Sequence, residues 1–299
     1  MTVMLAVALS ASWIVAVVVT ARLEPIAALF TPRWQVRALA ATSIAFALST
    51  SASALAAAVA AAVTRSLPGG VLAAALATWL LIGWSRAGLH GWRIAGRIRA
   101  ARIYRCSAMP STEFGDDVLV VDDATVDAFA VPGRRGVVVI TTALAAALPP
   151  SELAAVVSHE RAHIRGRHHL YTQLVELAAC VNPLLRPWCP AVRFAVERDA
   201  DESAARHDRQ TAALAVARAA VLCGPARSMA ALGIVGVQGD AVRRIRALQA
   251  PQPGRQRAST LLAAGCLVLA LIANCCELAD VAQDRLVPEP GEPMSALIG

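Results

Sequence analysis

Apolar and polar positions divide the chain into long uncharged runs towards both ends and a middle of mixed, shorter period. No charged side chain occurs from Met1 to Ala21, and none in the 27 residues from Ala38 to Thr64. A third run is uncharged from Val71 to Ser85, and Ala87 and Leu89 extend it if Arg86 turns its head to the interface. Ala258 to Cys276 forms the fourth. A helix needs about 20 apolar residues to cross the hydrocarbon core of a bilayer. The pattern therefore predicts transmembrane helices over about 3–21, 38–64, 71–89 and 258–276.

Between the third and fourth runs, 106–257 has the size of one domain. It opens with β-branched runs at Val118–Val121, Ala128–Val131 and Val137–Thr141. Pro132-Gly133 and Gly136 separate the last two, which predicts a strand-turn-strand unit. Pro149-Pro150 closes this part, and Leu153, Val156 and Val157 then take helical spacing. Beyond Pro183, Pro187 and Pro190 a further helical stretch is expected from about Val192 to Ala220, and 251–257 reads as a linker. The expected fold class is an α-helical membrane protein with an inserted α+β, mainly α, domain.

Composition supports this division. Apolar residues make up 57% of the 299 and charged residues 16%, against about 45–50% and 25% in soluble domains. Neither a disordered chain nor a purely soluble globule fits. The net charge of +7 is carried entirely by Arg, since the chain has no Lys. Residues 1–105 carry ten Arg and one Glu, 106–257 carry 17 Arg and 15 acids, and 258–299 carry one Arg and five acids. The basic excess flanks apolar runs and spares the polar middle, which favours a lipid bilayer as partner and argues against direct nucleic-acid binding. Six Arg follow the third run (86, 93, 97, 99, 102 and 105) and five precede the fourth (243, 244, 246, 255 and 257). Placing these flanks inside puts both termini outside, the 106–257 domain in the cytosol and an acidic extracellular tail at 277–299. The first run has no basic residue ahead of it and is not expected to be a cleaved signal peptide. Seven Cys without a CxxC pair read as buried thiols.

The chemistry concentrates in His159-Glu160-Arg161-Ala162-His163. Residues four apart share a helical face, so two imidazoles can meet one Zn²⁺ at about 2.0–2.1 Å. Glu160 stands beside the first of them, placed to take a proton from water on the ion. With six His and ten Glu in the chain, chance supplies this spacing roughly 0.004 times per sequence. A catalytic zinc needs a third protein ligand, and two residues compete for that place. Glu197 lies in Glu197-Arg198-Asp199-Ala200-Asp201, with Asp201 one turn on to orient a ligand imidazole. Its bland reading is an acidic patch balanced by Arg198 and Arg206. His169 completes His159-Glu160-x-x-His163-x-x-Gly166-x-x-His169, the metzincin pattern, whose bland reading is a basic helix end capped by Gly166. His207, ten residues after Glu197, could donate to an oxyanion, or be an exposed helix residue.

Three apolar spans, an H-E-x-x-H domain, an E-x-x-x-D helix and a fourth span together resemble the BlaR/MecR-type antirepressor membrane metallopeptidases. The stretch from Asp127-Ala-Phe-Ala-Val-Pro-Gly through Val137-Val-Val-Ile-Thr to Ser158-His-Glu-Arg-Ala-His is also similar to CAAX-prenyl-protease and HtpX-type peptidases. The resemblance covers most of the chain up to about residue 276. It implies a zincin-like metallopeptidase domain with one Zn²⁺ per chain, held by His159, His163 and Glu197. By it Glu160 is the base, Asp201 orients a ligand, and the substrate is a protein or peptide such as a cytosolic repressor. Two departures stand out. The family often has Asp where this chain has His168, and the extracellular penicillin-binding sensor of its best-known members has no counterpart in the 23 residues after the last span. A metzincin-like hydrolase using His169, and a non-enzymatic membrane signalling or scaffold protein with a structural zinc, stay open beside the endopeptidase reading.

Overall fold

The computed structural model describes residues 3–107, 109–111, 115–133, 136–222, 237–251, 254 and 256–286. Two helices come first, α1 (Val3–Ala21) and the short α2 (Leu23–Ala27). Next come α3 (Pro32–Val63) and α4 (Leu67–Ser107). Pro32 starts α3, where its fixed φ and missing N–H cost nothing, so the helix begins six residues before the apolar run expected from residue 38. Nor does α4 stop at residue 89. Beyond Pro68 in its first turn no Pro interrupts it before Pro110, and Arg, Ile and Ala sustain the helix.

Among the described residues three helices are long and apolar enough to cross a bilayer, Pro32–Val63, Leu67–Gly96 and Ala258–Leu278, and Leu9–Ala21 adds a shorter apolar helix. Their surroundings differ. Within α3, 72% of the apolar window is buried. Its Ala, Ser and Thr positions let neighbours approach closely: Trp13 donates to Ser53 Oγ at 3.2 Å, and Asn274 to Ser49 Oγ at 3.0 Å. The windows in α4 and the last helix bury only 6% and 11%, leaving Leu81, Leu262 and Leu269 about two-thirds exposed. Apolar surface on that scale suits lipid and not water.

A four-stranded sheet follows α4, made of β1 (Met109–Ser111), β2 (Gly115–Val121), β3 (Ala128–Val131) and β4 (Val137–Thr141) in the spatial order β1-β2-β4-β3. The expected strand-turn-strand unit is the antiparallel β3–β4 pair, with Ala128 opposite Ile140 and Val131 opposite Val137. β4 also pairs in parallel with β2, Val118 opposite Val138, and all five of its residues are buried. β3 is an edge strand. After α5 (Thr142–Ala147), α6 (Pro150–Arg165) lays Leu153 and Val157 on the sheet beside Val138 and Ile140.

The rest is helical: α7 (His168–Val181), a 3-10 turn at Pro183–Leu185, α8 (Trp188–Ala204), α9 (Arg209–Leu222), α10 (Val237–Gln249) and α11 (Ala258–Leu286). The single helix expected from 192 to 220 is thus two. The break comes at 205–208, where the Asp208 carboxylate accepts from the Gln210 amide at 2.9 Å and starts α9. At the tip of the α7–α8 hairpin the chain enters the apolar bundle. Asn182 is fully buried and donates from Nδ2 to Thr50 Oγ1 of α3 at 3.1 Å. Trp188 Nε1 donates to Thr20 Oγ1 at 2.9 Å, and the indole meets Phe46 edge-on at 5.8 Å.

Gly83 of α4 has no room for a side chain, because a Cβ there would stand 2.8 Å from the Val181 carbonyl oxygen. Gly88, in the same helix, has nothing within 4 Å. Gly83→Val is expected to lower the melting temperature in detergent, since a backbone contact yields less than a side chain and overpacking costs about 1–3 kcal/mol. Gly88→Val serves as the control and should melt close to wild type. Equal melting of the two variants would remove the close α4–α7 contact from the account.

Candidate metal centre

The site assembles from three helices that reach it from different parts of the chain. α6 starts with Pro150 in its first turn and turns Leu153 and Val157 to the sheet. That sets His159 and His163 one turn apart on another face. α8 is held at its foot by Trp188 and Val192, both essentially unexposed, and offers Glu197 and, one turn later, Asp201. α10 supplies Arg244.

His159, His163 and Glu197 each bring one ligand atom into a group within 4.8 Å. Nε2 of His159 lies 3.1 Å from Nε2 of His163. Glu197 places Oε2 3.4 Å from the first and Oε1 3.5 Å from the second. Tetrahedral ligands at zinc distances are separated by about 3.3 Å. The two imidazoles stand close to that spacing, and the carboxylate faces each of them with a different oxygen, so the donor set suits a zinc ion. Asp201, with no side-chain exposure, sets Oδ1 3.0 Å from Nδ1 of His159. Arg244 grips Asp201 with two bonds of 2.7 Å and reaches Glu197 Oε2 at 2.9 Å.

These contacts shift the acid–base behaviour of the site. Burial raises Glu160 to about 7, with the nearby His159 charge opposing it and the Ala130 backbone amide bonded to its carboxylate. Burial also lowers His163 to about 4, against the attraction of Glu197, so this imidazole is neutral at physiological pH. For His159 burial works in the same direction, yet the hydrogen bonds and charges of Asp201 and Glu197 raise it to about 10. Metal entry at neutral pH must therefore displace a proton from His159. Glu197 is pulled well below the usual carboxylate range: burial opposes this, and Arg244, His159 and His163 outweigh it. Asp201 is lowered in the same way by Arg244 and His159.

A cavity of about 770 Å³ opens over these residues. Its walls include Phe129 and Ala130 of β3, Ala212 and Ala215 of α9, and Glu160 beside the His pair. β4 is paired on both sides, and β3 is the outer strand beside the cavity.

His169 lines this cavity but is not in the ligand group among the described residues. The helix does end where the metzincin pattern requires, but Gly166 keeps a helical φ of −74°. Arg167 takes the left-handed conformation with φ 51°, and the turn carries His168, not His169, to the metal side. Nδ1 of His168 is 3.0 Å from Nδ1 of His163, and its Nε2 is 3.0 Å from Asp199 Oδ2. His207 stands exposed in the 205–208 turn and lines none of the cavity wall. Arg244 was counted above in the basic flank ahead of the fourth apolar run. It is paired within the site, and Arg243 lies over the Phe194 ring at 4.1 Å with Asp240 at 3.7 Å. Two of the five Arg ahead of α11 therefore have local partners and weigh less in the orientation.

Residues 98–223 match the model of Peptidase family M48. The match runs from late α4 through α9 and covers less than half of the chain, leaving Arg244 outside it. It implies metallopeptidase chemistry on the stretch that holds His159, Glu160, His163 and Glu197. No curated protein and no solved structure matches the chain.

Glu197→Ala is expected to abolish tight zinc binding, measured by chelator competition on the purified protein, and His169→Ala to leave it nearly unchanged. Asp201→Ala should weaken affinity about 10–100-fold, because it releases the His159 ring. A metal-free His169→Ala protein beside a zinc-loaded Glu197→Ala protein would reverse the assignment.

Proposed function

We propose that this chain is a membrane-embedded zinc endopeptidase whose site faces the cytosol and which cleaves a regulatory protein, such as a transcriptional repressor. The observation that carries the reading is the convergence of His159, His163 and Glu197 to 3.1–3.5 Å on the wall of a cavity that also holds Glu160. Bound there, zinc would polarise a scissile carbonyl and activate water. Glu160 takes the water's proton and passes it to the leaving amine, a transfer suited to a carboxylate raised to about 7. An extended peptide laid along β3, an outer strand of the sheet on the cavity wall, would pass Ala130, the amide that bonds Glu160. Repressor-type substrates rest on the resemblance to the BlaR/MecR-type peptidases. The cytosolic side rests on the Arg that flank the apolar helices, chiefly those after the third run.

Glu160→Gln should retain one zinc per chain and lose hydrolysis, because its part is proton transfer and not coordination. Comparing the proteomes of cells carrying wild type and Glu160→Gln then exposes the substrate as a protein whose fragments vanish in the variant. Identical fragments in both strains would remove the proposed base, and with it the enzyme reading.

The orientation has its own test. A cysteine reporter near residue 290 should react with an impermeant reagent added to intact cells, and one near residue 125 should not. The opposite labelling would put the site outside and exclude every cytosolic substrate.

A further inference from the structure

The position where this chain departs from the resembled family carries a further assignment, which rests on the zinc reading above. His163 faces His159 and Glu197 through Nε2. A neutral imidazole that offers Nε2 as a ligand carries its proton on Nδ1. Among the described residues the partner for that proton is Nδ1 of His168 at 3.0 Å, which must then be the acceptor. His168 in turn holds its own proton on Nε2, 3.0 Å from Asp199 Oδ2. The donors and acceptors run in one direction, from ligand imidazole to carboxylate.

We propose that His168 and Asp199 form a two-residue relay that fixes the tautomer and orientation of His163, doing in two steps what Asp201 does for His159 in one. Both are positioning residues. The local backbone is shaped for this arrangement. His168 is 3% exposed, and its ring occupies the space a side chain at 166 would need: a Cβ on Gly166 would lie 2.3 Å from Nε2 of His168 and 2.6 Å from Cδ2. Gly166 is thus required for its missing side chain, since its φ is an ordinary helical one. Arg167 accepts the left-handed conformation that aims His168 back at α6. Asp199 comes from α8, two residues from Glu197, so one helix contributes a ligand and the end of the relay.

Substituting Asp for His168 tests the relay directly, because an aspartate carries an oxygen close to where the imidazole carries Nδ1. It could then accept from His163 without Asp199. Zinc affinity of the purified full chain in detergent is read by chelator competition, and the visible spectrum of the cobalt-loaded protein reports ligand geometry independently of turnover. His168→Ala and Asp199→Ala should each weaken zinc about 10–100-fold and shift the cobalt bands. His168→Asp should stay within about threefold of wild type, well short of that loss. Adding Asp199→Ala to His168→Asp should then cost nothing more.

The relay is overturned if Asp199→Ala costs the same in both backgrounds, or if His168→Asp binds as weakly as His168→Ala. Should His168→Ala melt early without metal, the comparison of Asp199→Ala in the two backgrounds still decides, since Asp199 is a quarter exposed. A wild-type protein that takes up no zinc overturns the zinc reading and the relay together. Tight zinc in wild type and in His168→Ala alike overturns the relay alone.

Discussion

The burial of Asn182 against Thr50 determines where α7 and α8 stand, and with them half of the metal centre. An Asn with no exposed surface must have its polar atoms satisfied. Here Nδ2 finds Thr50 and Oδ1 accepts from the Leu184 amide at 3.0 Å, which fixes the hairpin tip at one depth along α3. Trp188 on Thr20 and Phe46 sets the foot of α8. Gly83 lets the end of α7 touch α4, and further up the same pair of helices His90 bonds Glu176 at 3.1 Å, which Arg193 holds from α8 at 2.6 Å. Buried residues of α1, α3, α4, α7, α8 and α11 form one continuous core. The helices that deliver His168, Glu197, Asp199 and Asp201 are therefore part of the apolar bundle, whereas α6, with the His pair, rests on the sheet.

Electrostatics explains why that division is tolerated. Glu197 and Asp201 are two carboxylates one turn apart beside Glu160, a combination that repels itself when desolvated. Arg244 answers it from α10 with bonds to both, and α10 is held in place by Arg209, whose guanidinium bonds Glu202 of α8 and the Ala247, Leu248 and Ala250 carbonyls. Glu160 makes the remaining adjustment by holding a proton up to about pH 7. His159, raised to about 10, occupies with its own proton the place a divalent ion would take. The candidate site is thus an acidic cluster that protein groups partly neutralise.

How much of this can be read from the sequence depends on the range of the interactions. The β3 and β4 strands follow from alternation and turn residues a few positions apart, and the structure gives them the same limits, Ala128–Val131 and Val137–Thr141. The start of α6 follows from two prolines. The split of α8 from α9 does not, because Ala204 and Ala205 favour helix and only the hydrogen bonds of Asp208 end it. The depth of the α7–α8 hairpin was equally illegible. Asn182-Pro183-Leu184 looks like an exposed turn, and nothing nearby in the chain shows that its partner is Thr50, 132 positions earlier. Arg244 is hidden for the same reason: its partners lie 43 and 47 residues back, and its basic neighbours disguise it as part of a membrane flank.

The metzincin pattern shows what a letter-by-letter match omits. His159, His163, Gly166 and His169 satisfy it, and the chain does turn after α6, but the direction of the turn is set by sterics that the pattern does not encode. In the pattern the glycine supplies backbone freedom. Here Gly166 is helical and the freedom is taken by Arg167, so the chain re-enters helix one residue later. The residue aimed at His163 is then His168, for whose ring the missing side chain of Gly166 leaves space. His169 follows one residue on, about 100° around the helix, and lines the cavity instead. Asp199 was illegible on the same principle: two positions from Glu197, it cannot share that residue's face. It gains a role only because α7 begins beside α8, where His168 needs an acceptor.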